Sequence, residues 1–171
     1  MRRNFLVVAV VLMFGAAASL AAQAKPDFSG KWVMDPASAP APPAGAGGGG
    51  GGGRGGGRGG GGGAGFGQEF TAKQDATTLT ITRMQGDQTV TATYKLDGSE
   101  SKNMVAGRGG QQEQVSKASW DGAKLVIVTT TQFGEQRRTI SMEGGNLVVE
   151  TSQPGRDGGA PTTAKLVYKK G

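Results

Sequence analysis

Beyond Gln68 the sequence alternates apolar and polar side chains with a period of two, and turn signals interrupt it repeatedly. Segments 77–84 (TTLTITRM), 88–96 (QTVTATYKL), 114–120 (QVSKASW), 124–132 (KLVIVTTTQ), 135–143 (EQRRTISME), 146–152 (NLVVETS) and 162–169 (TTAKLVYK) all carry the pattern. A period of two sends successive side chains to opposite faces of a strand, so each segment has one face to bury and one to wet. Their Thr, Val, Ile and aromatic residues suit a pleated, half-buried surface. Turn pairs stand at Gly86-Asp87, Asp97-Gly98, Asp121-Gly122, Gly144-Gly145 and Asp157-Gly158. Such pairs supply the positive φ that tight hairpins need. The interval of 24 residues from Gly98 to Gly122 leaves room for a further strand near 102–106. With segments 28–34 and 69–75 the count is about ten strands.

The expected fold class is therefore all-β, an antiparallel up-and-down meander closing into a barrel. Closure removes the exposed edges that a flat meander offers for aggregation. A β-sandwich is the other architecture for such strands, but the hairpin spacing favours pairing between chain neighbours. An outer-membrane barrel needs strands of about 9–11 residues with an apolar outer face and aromatic girdles. These strands are shorter, one face is mostly Thr, Lys and Gln, and the aromatics are few.

Composition adds one unusual insert. Of 33 glycines, 18 lie between positions 45 and 67, and Pro36, Pro40, Pro42 and Pro43 precede them. Segment 35–67 has almost nothing to bury and cannot offset the entropy of ordering, so it is expected to be disordered. Lengthening a closed loop from 4 to 33 residues costs only about 2 kcal/mol, which a modest barrel tolerates. Arg54 and Arg58 within the glycines are a thin version of an arginine–glycine nucleic-acid segment. Without interleaved aromatics they imply no nucleic-acid partner. The expected organisation is 1–24 a signal peptide, 25–34 the first barrel strand, 35–67 the insert and 68–171 the rest of the barrel.

The signal reading rests on Arg2 and Arg3, the apolar run 5–14 and Ala22-Gln23-Ala24, an A-x-A cleavage pattern before Lys25. It predicts export to the periplasm or the extracellular space, with no membrane-spanning helix in the mature chain. Removing Arg2 and Arg3 lowers the net charge from +6 to +4, and setting aside Arg54 and Arg58 leaves +2. That balance suits solubility and calls for no polyanionic partner.

The chain has no Cys and no His. Disulfides, thiol nucleophiles, the commonest general base and the commonest transition-metal ligands all go with them. The aspartates Asp75, Asp87, Asp97, Asp121 and Asp157 stand at turns, where their side chains bond the backbone. No nucleophile elbow, P-loop or dinucleotide fingerprint occurs. No catalytic residue, metal or cofactor is expected, and the protein is not expected to be an enzyme.

At the N-terminal end, Asp27-Phe28-Ser29-Gly30-Lys31-Trp32-Val33-Met34 sets Phe28, Gly30, Trp32 and Met34 on one strand face. Phe28, Gly30 and Trp32 would plug the base of a barrel. Here the sequence resembles the calycins, the lipocalins and fatty-acid-binding proteins, whose first strand carries a Gly-x-Trp. It is also similar to small exported bacterial proteins that begin Phe-Ser-Gly-x-Trp. The resemblance implies a barrel with an interior ligand held by buried Arg and Tyr. The chain departs from the fatty-acid-binding pattern where a helical lid would follow strand one, because the glycine tract stands there.

Interior positions bear on that ligand. Arg83 shares a face with Leu79 and Ile81, and Arg138 with Ile140 and Met142. Tyr94 lies with Val90, Ala92 and Leu96, and Tyr168 with Leu166. The forked guanidinium of Arg83 or Arg138 suits a carboxylate head group, with Tyr94, Tyr168 and Trp120 as further candidate contacts. The competing expectation places each Arg near a strand end with its head in water and each Trp in the core. The expected function is an exported, lipocalin-like barrel binding a small hydrophobic or amphipathic molecule. The alternative is a non-catalytic interaction module with a packed interior and no ligand.

Overall fold

The computed structural model describes residues 24–39, 66–107, 110–132, 134–155 and 159–171. Most of the expected signal peptide, the insert between 40 and 65 and the Asp157-Gly158 turn lie outside the described residues. Ten strands occur among those described: β1 (Gly30–Met34), β2 (Glu69–Gln74), β3 (Thr78–Gln85), β4 (Gln88–Lys95), β5 (Glu100–Gly107), β6 (Gly110–Asp121), β7 (Lys124–Thr131), β8 (Gly134–Glu143), β9 (Asn146–Gln153) and β10 (Thr162–Lys170). The strand expected near 102–106 is β5.

All pairings are antiparallel, in the order β4-β3-β2-β1-β10-β9-β8-β7-β6-β5. The first strand pairs with the last, Val33 opposite Lys169, and the meander thereby curls into a nearly closed barrel. Turn chemistry follows the aspartates. Asp75 accepts from the Thr77 and Thr78 amides and hydroxyls, which holds its carboxyl well below the usual range. Asp97 is lowered too, by hydrogen bonds from the Ser99 side chain and amide.

One junction departs from neighbour pairing. Asp97-Gly98 reads as a two-residue hairpin turn, yet β4 and β5 form the two ends of the sheet order and share no ladder. The reason lies in the linking residues. Leu96 is drawn into the core, and its amide donates to the Thr77 carbonyl at 2.8 Å. Gly98 donates across to Ala118 of β6 at 2.8 Å. The chain is thus pulled to both sides and the two strands part.

Side chains bridge the seam. The Asn103 carboxamide accepts from the Thr93 amide at 2.7 Å and donates to the Thr93 carbonyl at 3.0 Å. Ser101 Oγ accepts from the Lys95 amide at 2.8 Å. Asn103 therefore does for β4 what a neighbouring backbone would have done, since its amide has one donor and one acceptor side. Asn103→Ala is expected to cost about 1–3 kcal/mol, because it leaves the amide and carbonyl of Thr93, part-buried in these bonds, without their partner at the seam. Urea unfolding and amide exchange at Thr93 check it. Unchanged stability together with unchanged exchange at Thr93 would contradict the role.

The inner face carries Phe28, Trp32, Phe70, Leu79, Ile81, Leu125, Ile127, Ile140, Leu147, Val149, Leu166 and Tyr168 in one continuous core. Its base is the expected plug. Trp32 is fully buried, and its Nε1 donates to the Phe28 carbonyl at 2.8 Å. Gly30 sits at φ +142°, where a side chain would be strained. Phe28 stacks on Trp120 with centroids 5.7 Å apart.

The insert's two described ends are docked on the barrel. Asp35 caps a single 3-10 turn, Pro36–Ser38, and Ser38 Oγ accepts from the Val167 amide at 2.9 Å. At the other end Phe66 is buried against Phe70. The described ends of segment 35–67 are thus held on the barrel, because each finds hydrogen-bond partners and Phe66 finds an apolar one.

Candidate functional site

The strand register sorts the inner face into rungs. Trp120, Leu125, Ile140, Val149 and Leu166 stand opposite one another across β6, β7, β8, β9 and β10. Two residues along lie Ala118, Ile127, Arg138, Thr151 and Ala164. Two further along lie Ser101, Ser116, Thr129 and Gln136, all buried. Ser116 and Thr129 share a hydroxyl–hydroxyl bond of 2.9 Å. The interior therefore runs from an apolar rung to a polar one, and Arg138 stands at the boundary.

Arg138 is only 7% exposed. Burial lowers its basicity, and the positive charge of Arg83 lowers it further, while Tyr94 and Tyr168 favour the charged form. Tyr94 and Tyr168 are also buried, and desolvation raises the pKa of each phenol against the pull of both arginines. Four of the five candidate residues thus act on one another inside the barrel. Half-buried Arg83 belongs to the same group, for a methyl placed on Gly67 would stand 3.9 Å from its Cδ.

Trp120 stands elsewhere. It belongs to the apolar rung, stacked on Phe28, with the Lys25 ammonium 5.5 Å from its ring centre. Its neighbours make it part of the base with Phe28, Gly30 and Trp32. Arg138 does not lie as a strand-end arginine with its head in water; its strand alternation buries it between Ile140 and Gln136.

The carboxylates are sorted to the outside. Glu69, Glu100, Glu113, Asp121, Glu135, Glu143 and Glu150 are the acidic strand residues, and each is exposed. Several pair with outward lysines, Lys31 with Glu69 at 3.0 Å and Lys102 with Glu113 at 3.1 Å. Such exposed pairs contribute about 0–1 kcal/mol, but the sorting leaves the inner strand faces with cationic and neutral groups. Among the described residues no group of three acidic side chains could hold a metal ion.

Phe66 is a neighbour of this group that alternation does not announce. Its ring lies 5.1 Å from Phe70 and 5.8 Å from the Arg138 guanidinium carbon. Its amide donates to the Tyr168 hydroxyl at 3.2 Å, and that hydroxyl donates to the Gly67 carbonyl at 3.0 Å. The available signal was compositional, since Phe66 is the lone aromatic in segment 35–67.

Clefts on the described surface include two with small volumes. One of about 210 Å³ lies at the base beside Ala24, Pro26, Lys124 and Met142. The other, about 280 Å³, lies on the seam between Thr93, Lys95, Glu100, Ser101 and Lys102. Neither is lined by Arg83, Arg138, Tyr94 or Tyr168.

No protein-family model matches this chain, and no curated protein matches it. Solved structures do. One described as a mutant of the REP1-NXSQ fatty acid transporter aligns with a TM-score of 0.53 at 10% identity, over 84% of this chain and 97% of that one. Zebrafish ileal bile acid-binding protein complexed with cholic acid aligns at 0.48 with 22% identity, over 60% of this chain and 72% of that one. The fatty-acid-binding protein of Manduca sexta aligns at 0.45 with 20% identity, over 59% and 71%. The near-complete overlay on the transporter shows the architecture: the barrel fold that the Gly30-Lys31-Trp32 resemblance implied.

Proposed function

We propose that this barrel is an exported, non-catalytic binding protein for a small amphipathic anion, held inside with its charged end at Arg138. The carrying observation is the boundary position of Arg138, buried between an apolar and a polar rung. Burial and the nearby charge of Arg83 both disfavour the charged guanidinium, and an anionic head group would offset them. Tyr94 and Tyr168 supply hydroxyls beside it, and the apolar rung below receives a hydrocarbon part. This is the usual anatomy of a small-molecule site, apolar walls with a few placed polar groups. The mechanism is sequestration. The transporter with which the chain shares its fold is described as carrying fatty acids, which supports a carboxylate as one ligand class.

A second reading, a packed interaction module without a ligand, draws on the aromatic contacts of Phe66, Phe70 and Tyr168 inside the barrel. Native mass spectrometry with organic extraction of the purified mature protein separates the two, followed by titration with oleate and with oleyl alcohol. The expected result is a co-purifying acidic lipid or saturable one-to-one binding of oleate, with oleyl alcohol at least about tenfold weaker for want of charge. No co-purifying lipid and no saturable oleate binding would leave the packed module standing. Equal affinity for the alcohol would remove the role of Arg138.

A further inference from the structure

Phe66 occupies the place that the proposed head group needs. It is 4% exposed, its ring faces the Arg138 guanidinium, its amide donates to the Tyr168 hydroxyl, and that hydroxyl donates to the carbonyl of the adjoining Gly67. The two groups best suited to an anion, Arg138 and Tyr168, are therefore already in use by the chain itself. Gly67 holds φ +102° to make the turn, a conformation that glycine adopts at little cost.

Resting on the reading of the interior as an anion site, we propose that Phe66 is its resident occupant and its specificity-determining residue. A ligand binds by displacing the Phe66 ring from Arg138 and releasing Gly67 from Tyr168. The exchange sets two requirements. The ligand must bring an anion, to replace a cation–π contact with a charge-assisted hydrogen bond. It must also bring enough apolar surface to refill the space against Phe70. Short acids such as acetate fail the second requirement and long alcohols fail the first. An amphipathic anion meets both.

An occupied site lowers apparent affinity by the fraction of molecules in which it is vacant. Phe66→Ala is therefore expected to bind 1-anilinonaphthalene-8-sulfonate at least about tenfold more tightly than the wild-type chain. In the wild-type chain, saturating probe should speed amide exchange at Phe66, whose hydrogen bond to Tyr168 is lost, while leaving Trp32 protected. This second measurement needs no variant and decides the matter if Phe66→Ala does not fold. Weaker or unchanged probe binding by Phe66→Ala, with the wild-type chain binding and Arg138→Met not, would overturn the occupant role and leave the anion site intact. Full protection of the Phe66 amide in the probe-saturated protein would overturn it equally. Failure of both the wild-type chain and Phe66→Ala to bind would overturn the anion site itself, and the occupant role with it.

Discussion

Trp32→Ala is expected to remove about 3–5 kcal/mol of stability, the range for deleting a fully buried aromatic. Small domains hold only about 5–15 kcal/mol in total, so the variant barrel stands near its unfolding threshold. The loss has three parts. The indole is fully buried, and Phe70 of β2 stands directly opposite it. Its Nε1 bond to the Phe28 carbonyl ties the segment before β1 to the strand, so the truncation also strands a buried acceptor. The Lys170 ammonium lies 5.8 Å from the ring centre, closing the last strand over the same residue. Urea unfolding reads the effect, and the chain's two tryptophans make it convenient. With Trp32 gone, fluorescence reports Trp120 alone. Trp32→Phe should lose about 1–2 kcal/mol, retaining the ring contacts but not the hydrogen bond. A loss below about 1 kcal/mol for Trp32→Ala would mean that the base is not closed by this residue.

Arg138→Met should move stability and binding in opposite directions. Burial disfavours the charged guanidinium, and the neighbouring Arg83 adds to that. The sign follows from the lowered basicity. The folded state holds the proton less well than the unfolded chain, so at every pH where Arg is charged the group costs folding free energy. Methionine fills similar space without charge, and replacing buried ion pairs by apolar groups of similar volume is often neutral or stabilising by about 1–4 kcal/mol. The cation–π contact with Phe66 is lost, which trims the gain. Binding of oleate or an anionic probe should fall by about 2–5 kcal/mol, more than about 30-fold, because an anion buried there loses its counter-charge. A denaturation curve and a titration on the same sample read both signs. Reduced stability with unaltered affinity would make Arg138 a structural residue. A destabilising choice kept for function is the pattern expected of a working site.

Much of this architecture could be read along the chain. Strands such as β3 and β8 announced themselves by alternation, and pairs such as Gly86-Asp87 and Gly144-Gly145 marked where they end. Arg83, Arg138, Tyr94 and Tyr168 were legible as inner-face residues because a period of two fixes the face once the apolar neighbours are known. Alternation says nothing about level within the barrel, so it could not separate Trp120 at the base from the other four. The seam was hidden for a related reason. Asp97-Gly98 has the local chemistry of a hairpin, and what parts β4 from β5 is a pair of distant carbonyls, on Thr77 and Ala118. Phe66 escaped because it sits in a glycine tract without periodicity, and its partners Arg138 and Tyr168 are 72 and 102 residues away in sequence. Long-range contacts of single residues leave no local trace.

The pairing of β1 with β10 also bears on the order of events as the chain folds. β1 (Gly30–Met34) finds its partner only at positions 168–170, far along the chain. Hairpins such as β2–β3 need only their chain neighbours and can form before the barrel closes. The Trp32 side of the barrel must wait for β10. Closure is therefore a late event, and a truncated product lacking β10 carries an unpaired β1 edge with Trp32 unburied. Such a product presents chaperones and proteases with the surface by which incomplete chains are recognised.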